Sequence, residues 1–371
     1  MKYAIQVLLK HPLANRCKPN NITCVATGSD NVFFGSTDGQ VRILSQNFKV
    51  VRAFKAHDVG SITFMKQVQG TSLLVTIAED LPNEPVLKVW ALDKVDKKTG
   101  MPRCQSTLSI NNGRKPFPIS AFAALEDLSQ LAIGFGNGTV TVVRGDLIHD
   151  RGARQRTVFE SDEPITGIGF KEGNITTLYI ATTGRISTLV ISGRGQGQPA
   201  RTLEETGCGV GCMTVDHATR DVVVARDDGI YYYGLHGRGP GYAYDSPKKS
   251  LAIFKDYIAI VSPPSSNSVA KNTSLRAFGA SQADDLFSVS NFTILHTDLK
   301  FIAHQEAMTS QPKYIFQEWG DLFVFTLDGK VCRSAQYVDV FANIPRSSAT
   351  TRRHSSKSSS FCTSAISTCL R

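Results

Sequence analysis

Short apolar runs recur along the chain, each ending in a turn and followed by a second run. The stretch from Phe33 to Leu44, FFGSTDGQVRIL, shows the unit. Asp38-Gly39 supplies residues that accept a positive φ, as the tightest strand-to-strand turns demand. Beyond it Val41 and Ile43 alternate with Gln40 and Arg42, the period of a half-buried strand. The unit is a β-hairpin.

Four more stretches have the same form: LAIGFGNGTVTVV from Leu131, LYIATTGRISTLVI from Leu178, VVVARDDGIYYYG from Val222 and LFVFTLDGKVCR from Leu322. Their turns are Asn137-Gly138, Gly184, Asp228-Gly229 and Asp328-Gly329. Counted from Gly39, successive turn glycines are separated by 99, 46, 45 and 100 residues. A period of roughly 45 to 50 residues is that of a propeller blade, and the two long gaps each hide one copy. One is LLVTIAEDLPNEPVLKVWAL, Leu73 to Leu92, with its turn enlarged. The other is YIAIVSPPSSNSVAKNTSLRAFG, Tyr257 to Gly279, with a polar insertion between its strands. Seven copies predict an all-β fold, a seven-bladed, WD40-like β-propeller. Residues 21–333 form it, 1–20 are an atypical N-terminal segment, and 334–371 are a Ser-rich basic tail expected to be disordered. Because the first strand looks replaced, one blade is expected to be imperfect.

The net charge of +9 suggests a polyanionic partner until its distribution is read. Residues 1–20 carry +4 and residues 333–371 carry +5, so the body between them is neutral. Nucleic acid is not an expected partner, although a zero sum leaves a local basic patch on one face open. Eight cysteines are scattered through the 371 residues, without the density of a disulfide scaffold, so reduced thiols are expected. No run is long enough to span a bilayer as a helix.

Candidate chemistry is sparse. GCGVGC holds Cys208 and Cys212, with His217 further on, but a structural zinc site needs four ligands in paired spacings. SGRGQGQ (from Ser192) and GRGPGYAY (from Gly237) look like phosphate loops, yet no helical pattern follows either. Arg144-Gly145-Asp146 reads as part of a polar loop between blades. No Gly-X-Ser-X-Gly or His-Glu-X-X-His pattern is present. Trp90 reads as core, and Trp319 as either core or surface. No catalytic residue, cofactor, metal or small-molecule substrate is expected. The residues singled out are structural, the turn positions Asp38, Gly39, Asn137, Gly138, Gly184, Asp228, Gly229, Asp328 and Gly329.

LAIGFGNGTVTVVRGDLIHDR followed by PITGIGF resembles the N-terminal propeller of the vacuolar protein sorting-associated protein 11 (Pep5) family. So do LVTIAED with LKVWALDK, GCGVGC, RGPGYAY, KFIAH and EWGDLFVFTLDGKV, in family order from about Ile22 to Val331. The resemblance implies a non-enzymatic scaffold subunit of the HOPS and CORVET tethering complexes, acting in vesicle-mediated transport and membrane fusion. Its partners would be the other tethering subunits. Its place would be the cytoplasm, peripheral on the late endosome and the vacuole or lysosome. Members continue into an α-solenoid and a RING-type zinc domain; here a Ser-rich tail follows Arg333, with only Cys362 and Cys369. Two alternatives stay open: a propeller hydrolase with carboxylates around its central channel, and a WD40-like adaptor unrelated to trafficking.

Overall fold

A lone hairpin is marginal in water; a strand on either side makes it a sheet able to bury its faces. The computed structural model describes residues 2–6, 21–111, 117–173, 175–191, 199–262, 290–308 and 310–337. Their strands form seven antiparallel four-stranded sheets. In sequence the blades occupy residues 22–55, 61–109, 119–160, 165–204, 213–243, 250–308 and 312–337. The first strand of each blade lies innermost, and neighbouring first strands touch around the central axis. The upper face carries the turns between first and second and between third and fourth strands. The lower face carries the second-to-third turns and the links between blades.

Among the described residues there is no single central core. The buried apolar residues form clusters seated between neighbouring blades. Ile62 and Leu74 of the second blade pack with Phe33 and Val41 of the first. Val75 and Ile77 on the other face of that sheet pack with Leu131 and Ile133 of the third. The period of two explains this: successive side chains of a strand leave opposite faces, and both faces of a blade meet a neighbour. The second strands are buried nearly throughout, as in Thr177–Thr182 and Tyr257–Ser262.

The seam between seventh and first blades is aromatic. Phe34 lies 5.4 Å from Phe325 and 6.5 Å from Phe316, centroid to centroid. Phe48 lies 5.3 Å from Phe323 and 5.7 Å from Trp319. Trp319 also donates its indole N–H to Asp30 O (3.0 Å), so it is part of the closure. On the outer rim Lys2–Gln6 pairs with Val331–Tyr337, Lys2 opposite Tyr337 and Gln6 opposite Arg333. The imperfect blade expected from the altered start does not materialise: the first residues complete the seventh sheet. The compact unit runs Met1–Tyr337; the tail beyond it, with the expectation of disorder, lies outside the described residues.

The hidden copies are also placed. In the second blade Leu73–Glu79 and Val86–Val95 flank the enlarged turn. In the sixth, Tyr257–Ser262 pairs with Ser290–His296, so the partner strand lies beyond Gly279, where the sequence reading ended the repeat. The residues between fall outside those described. Arg144 and Asp146 end the third strand of the third blade, and the following turn lies within that blade, not between blades.

The turn glycines divide by cause. Gly39 and Gly138 have φ of +72° and +87°, and a Cβ there would meet backbone, His57 O at 2.2 Å and Ser161 O at 1.9 Å. The links between blades cross over these turns: the amides of Ala56 and His57 donate to Gly39 O, and that of Ser161 to Gly138 O. Gly329 also has positive φ. Gly184 and Gly229 do not; space is the constraint there, because a Cβ would strike the Glu163 carboxylate at 2.3 Å or Tyr242 O at 2.5 Å. The φ argument therefore fails at these two positions.

A buried polar trio locks the first link to the second blade. His57 Nε2 lies 2.8 Å from Thr76 Oγ1, and Trp90 Nε1 donates to the same oxygen (3.0 Å). An indole N–H only donates, so Thr76 accepts from Trp90 and its own proton is free for a neutral His57. Burial foremost, and then the Lys88 charge, lower the His57 pKa to about 4, against the opposing pull of Asp58.

Two predictions follow from the turns and the trio. Gly138→Ala combines strain with collision and should cost well over the roughly 1–2 kcal/mol of left-handed strain alone. Gly70→Ala, with φ +71° and nothing within 4 Å of its Cβ, should cost only that strain; urea midpoints of the two variants check the order. The second concerns pH. A His neutral in the fold binds its proton more readily when unfolded, so its stabilisation is full above about pH 6.5. It is lost as pH falls toward about 4, on the order of 3 kcal/mol for such a shift. Unfolding curves between those values should fall steeply for the native chain and more gently for His57→Gln.

Candidate functional site

The axis is the one place to which every blade contributes. At the upper ends of the innermost strands lies a mouth of about 800 Å³. Its wall is polar and of both signs. Lys66 and Glu126, from the second and third blades, pair at 2.8 Å, and the Gln69 amide donates to Glu126 (2.9 Å). Burial pushes the Glu126 carboxyl up, but the Lys66 and Gln69 hydrogen bonds outweigh it and hold the group below the usual carboxylate range. Across the mouth stand Arg220 and Lys255; Lys255 Nζ donates to Gly320 O (2.9 Å), tying the sixth blade to the seventh. Glu318 is the exception in sign: burial, then the nearby Asp30, raises its pKa despite the Asp30 backbone and Thr27 hydrogen bonds.

The innermost strands carry few charges: Lys66, Lys171, Lys313 and Glu318. Glu318 is their only carboxylate. Hydrolysis by paired carboxyls needs two acids flanking the scissile bond, and these strands supply one. The mouth can hold polar or charged groups by hydrogen bonding and ion pairing. Among the described residues no group of three or more His, Cys, Asp or Glu side chains could hold a metal ion.

The singled-out turn residues all lie on the lower face, in the second-to-third turns of blades one, three, four, five and seven. They are not brought together; each serves its own blade. In the first, the Ser36 hydroxyl at the strand end donates to Asp38, and Arg42 donates to Ser36 (3.0 Å). Burial pushes the Asp38 pKa up, yet Ser36 and Arg42 bring it below the ordinary value. In the seventh, Thr326 bonds Asp328 and Lys330 pairs with it at 2.6 Å. Burial there is outweighed by Lys330, Thr326 and Ser310, leaving Asp328 at about 2. In the third, Asn137 Oδ1 accepts from Thr139 (2.8 Å).

The fourth blade builds the same clasp with a borrowed acid. Glu163, from the preceding link, accepts from the Thr182 hydroxyl and from the Gly184 amide (3.1 Å). The fifth is elaborated. The Tyr231 hydroxyl donates to Asp228, and the Tyr231 ring lies under the guanidiniums of Arg238 and Arg226, at 4.1 and 5.0 Å. Sequence reading found the turns and missed their partners. The signal available was a Ser or Thr just before the turn acid, at Ser36 and Thr326; Glu163 gave none, being far from Gly184 in sequence.

Cys208 and Cys212 are buried and unbridged in the link from fourth to fifth blade. The Cys208 amide donates to Thr182 O (3.1 Å). His217 stands at the opposite end of the innermost strand Met213–Val215, exposed at the upper mouth. GCGVGC is thus a small-residue link, not half of a ligand set. GRGPGYAY begins the outer strand Gly237–Ala243 of the fifth blade; SGRGQGQ lies outside the described residues.

Comparison with known proteins adds to this geometry. The family model PEP5/VPS11 N-terminal matches residues 6–335. The human vacuolar protein sorting-associated protein 11 homolog is 29% identical over 319 residues, covering 85% of this chain and 32% of the relative. The Dictyostelium discoideum homolog is 26% identical over 337 residues (84% and 34%), and the Arabidopsis thaliana homolog 31% over 253 residues (65% and 27%). The chain spans about a third of the length of the curated relatives it matches. Among solved structures, the computationally designed Ika8 protein superimposes with a TM-score of 0.52, covering 85% of this chain and 96% of its own; at 14% identity the likeness is one of fold. Because the family match, from Gln6 to residue 335, takes in all seven blades, the chain belongs to the PEP5/VPS11 N-terminal family.

Proposed function

We propose that this chain acts in vacuolar protein sorting as a non-enzymatic interaction scaffold, a subunit of the HOPS and CORVET tethering complexes on late endosomes and the vacuole. The observation that carries the reading is the family match over residues 6–335. The geometry supports it: upper and lower faces are built from separate loops on a rigid ring, and such loops can vary without disturbing the sheets. The innermost strands supply one carboxylate, Glu318, and no paired acids. No helix of the described residues is long and apolar enough to cross a membrane. On this reading attachment to membranes runs through partner subunits. A single propeller face buries about 1,200–2,000 Å² in a standard contact, enough for a moderate association.

The prediction is co-purification. The tagged 371-residue chain, expressed in cells, should recover the other tethering subunits and should sediment with late-endosomal and vacuolar membranes. Absence of both would overturn the reading. Hydrolase activity in the purified chain, abolished by Glu318→Gln, would move it to the enzyme class.

A further inference from the structure

Two seams of the ring correspond through their strand registers. In the seventh blade Phe316 pairs with Phe323 and Glu318 with Asp321. In the first, Ala26 pairs with Phe33 and Gly28 with Asn31. Phe33 therefore corresponds to Phe323, and Ser29 to Trp319. Both turn residues have left-handed φ, +50° at Ser29 and +52° at Trp319. Both also donate to a carbonyl in the matching turn of the next blade, Ser29 Oγ to Thr71 O (3.1 Å) and Trp319 Nε1 to Asp30 O (3.0 Å). The rings make the difference. Phe323 has Trp319 at 5.7 Å and Phe48 at 5.3 Å, centroid to centroid. Over Phe33 the serine brings no ring, and the third-to-fourth turn of the second blade, residues 96–101, holds no aromatic residue. The upper end of this seam is accordingly an open groove of about 580 Å³. Its floor is apolar: Phe33, Ile43 and Leu92, the end of the core cluster between the two blades. Arg52, from the outer strand of the first blade, forms part of its wall and donates to Leu92 O (3.0 Å) and Gly100 O (3.5 Å). A guanidinium carries more N–H donors than these contacts use, and Arg52 has no ion pair among the described residues. The acid on the rim, Asp93, is held by the Ser72 hydroxyl (2.6 Å) and stands beside Lys94.

We propose that this groove docks an extended segment of a protein partner that carries an aromatic residue with an acid directly after it. The ring enters over Phe33, at the place where the closing seam sets Trp319 over Phe323. The carboxylate meets Arg52. An apolar base with a few polar groups on its wall is the common form of a binding pocket, the polar groups fixing orientation. Edge-to-face and offset aromatic pairs are favourable beyond the area they bury. Guanidinium suits the acid, since it donates two parallel hydrogen bonds to one carboxylate. The hydrogen bond of Ser29 to Thr71 O keeps the two turns together without filling the space beneath them. The proposal stands independently of the sorting reading.

The test uses the full 371-residue chain and an acetylated, amidated peptide of glycine, para-fluorophenylalanine, glutamate and glycine, titrated and followed by its fluorine NMR line. The line should broaden and shift to saturation. The counterpart with glutamine for glutamate should bind at least about fivefold more weakly, the loss of one charge-assisted contact. In Arg52→Gln the two peptides should bind alike, which isolates the carboxylate contact as a pairwise coupling. Ser29→Trp puts into the groove the ring that Trp319 supplies at the closing seam. With circular dichroism like that of the native chain, it should lose both peptides. An unlabelled peptide with alanine at the aromatic position should not compete. No saturable binding at millimolar peptide, displacement by the alanine peptide, an undiminished preference for glutamate in Arg52→Gln, or native binding by folded Ser29→Trp would overturn the proposal. So would dimerisation of the native chain in sedimentation that Ser29→Trp abolishes while the peptide does not bind; that result would assign the groove to a second copy.

Discussion

Closure of the ring is the constraint on which the rest depends. Seven sheets in a row would leave the outward faces of the first and seventh bare, and each carries large apolar side chains. The aromatic seam of Phe34, Phe48, Phe316, Phe323 and Phe325 removes both faces from water at once. Aromatic pairs contribute about 0.5–1.5 kcal/mol each beyond area burial, and here they are concentrated where chain connectivity gives no help. Lys313 reinforces the inner end of the seam by donating to Ile22 O (2.6 Å), and Trp319 the upper end. Once this seam is made, the remaining interfaces repeat one solution between sequence neighbours.

The same logic explains why polar groups gather at the two faces. Strand ends and turns are where backbone groups run out of ladder partners, and each blade meets that shortage with side chains. On the lower face an acid or amide is held by a hydroxyl in blades one, three, four and seven, using Ser36, Thr139, Thr182 and Thr326. On the upper face ion pairs join neighbouring blades, such as Lys66 with Glu126 and Lys171 with Asp221. These groups brace the ring, and they leave loop length and loop chemistry free to differ between family members.

How much was legible in the sequence follows from contact distance along the chain. Hairpin turns such as Asp38-Gly39 and Asn137-Gly138 are local, and spacing alone counted the blades. The closing strand Lys2–Gln6 was not legible, because its partner lies at the far end of the unit and its short pattern carries no register. The sixth blade was misjudged in extent because an insertion separates Tyr257–Ser262 from Ser290–His296. Within the turns, the Ser36–Asp38 contact is two residues long and could be read; Glu163 beneath Gly184, and His57 against Thr76, depend on how one blade lies on the next. Gly184 and Gly229 read as turn glycines for the wrong reason, since nothing in the sequence distinguishes a need for positive φ from a need for room.

The pairing of Lys2–Gln6 with Val331–Tyr337 has a consequence in time. Of the strands in the ring, the earliest to be synthesised pairs with the latest. At about 5–20 residues per second, the roughly 330 residues between partners take on the order of 16–66 seconds to appear. Through that interval five residues of strand-forming sequence remain without their partner, beside blades that can assemble in order. A chain of this design that stopped before its last blade would yield not a smaller ring but an open one, with two unsatisfied margins.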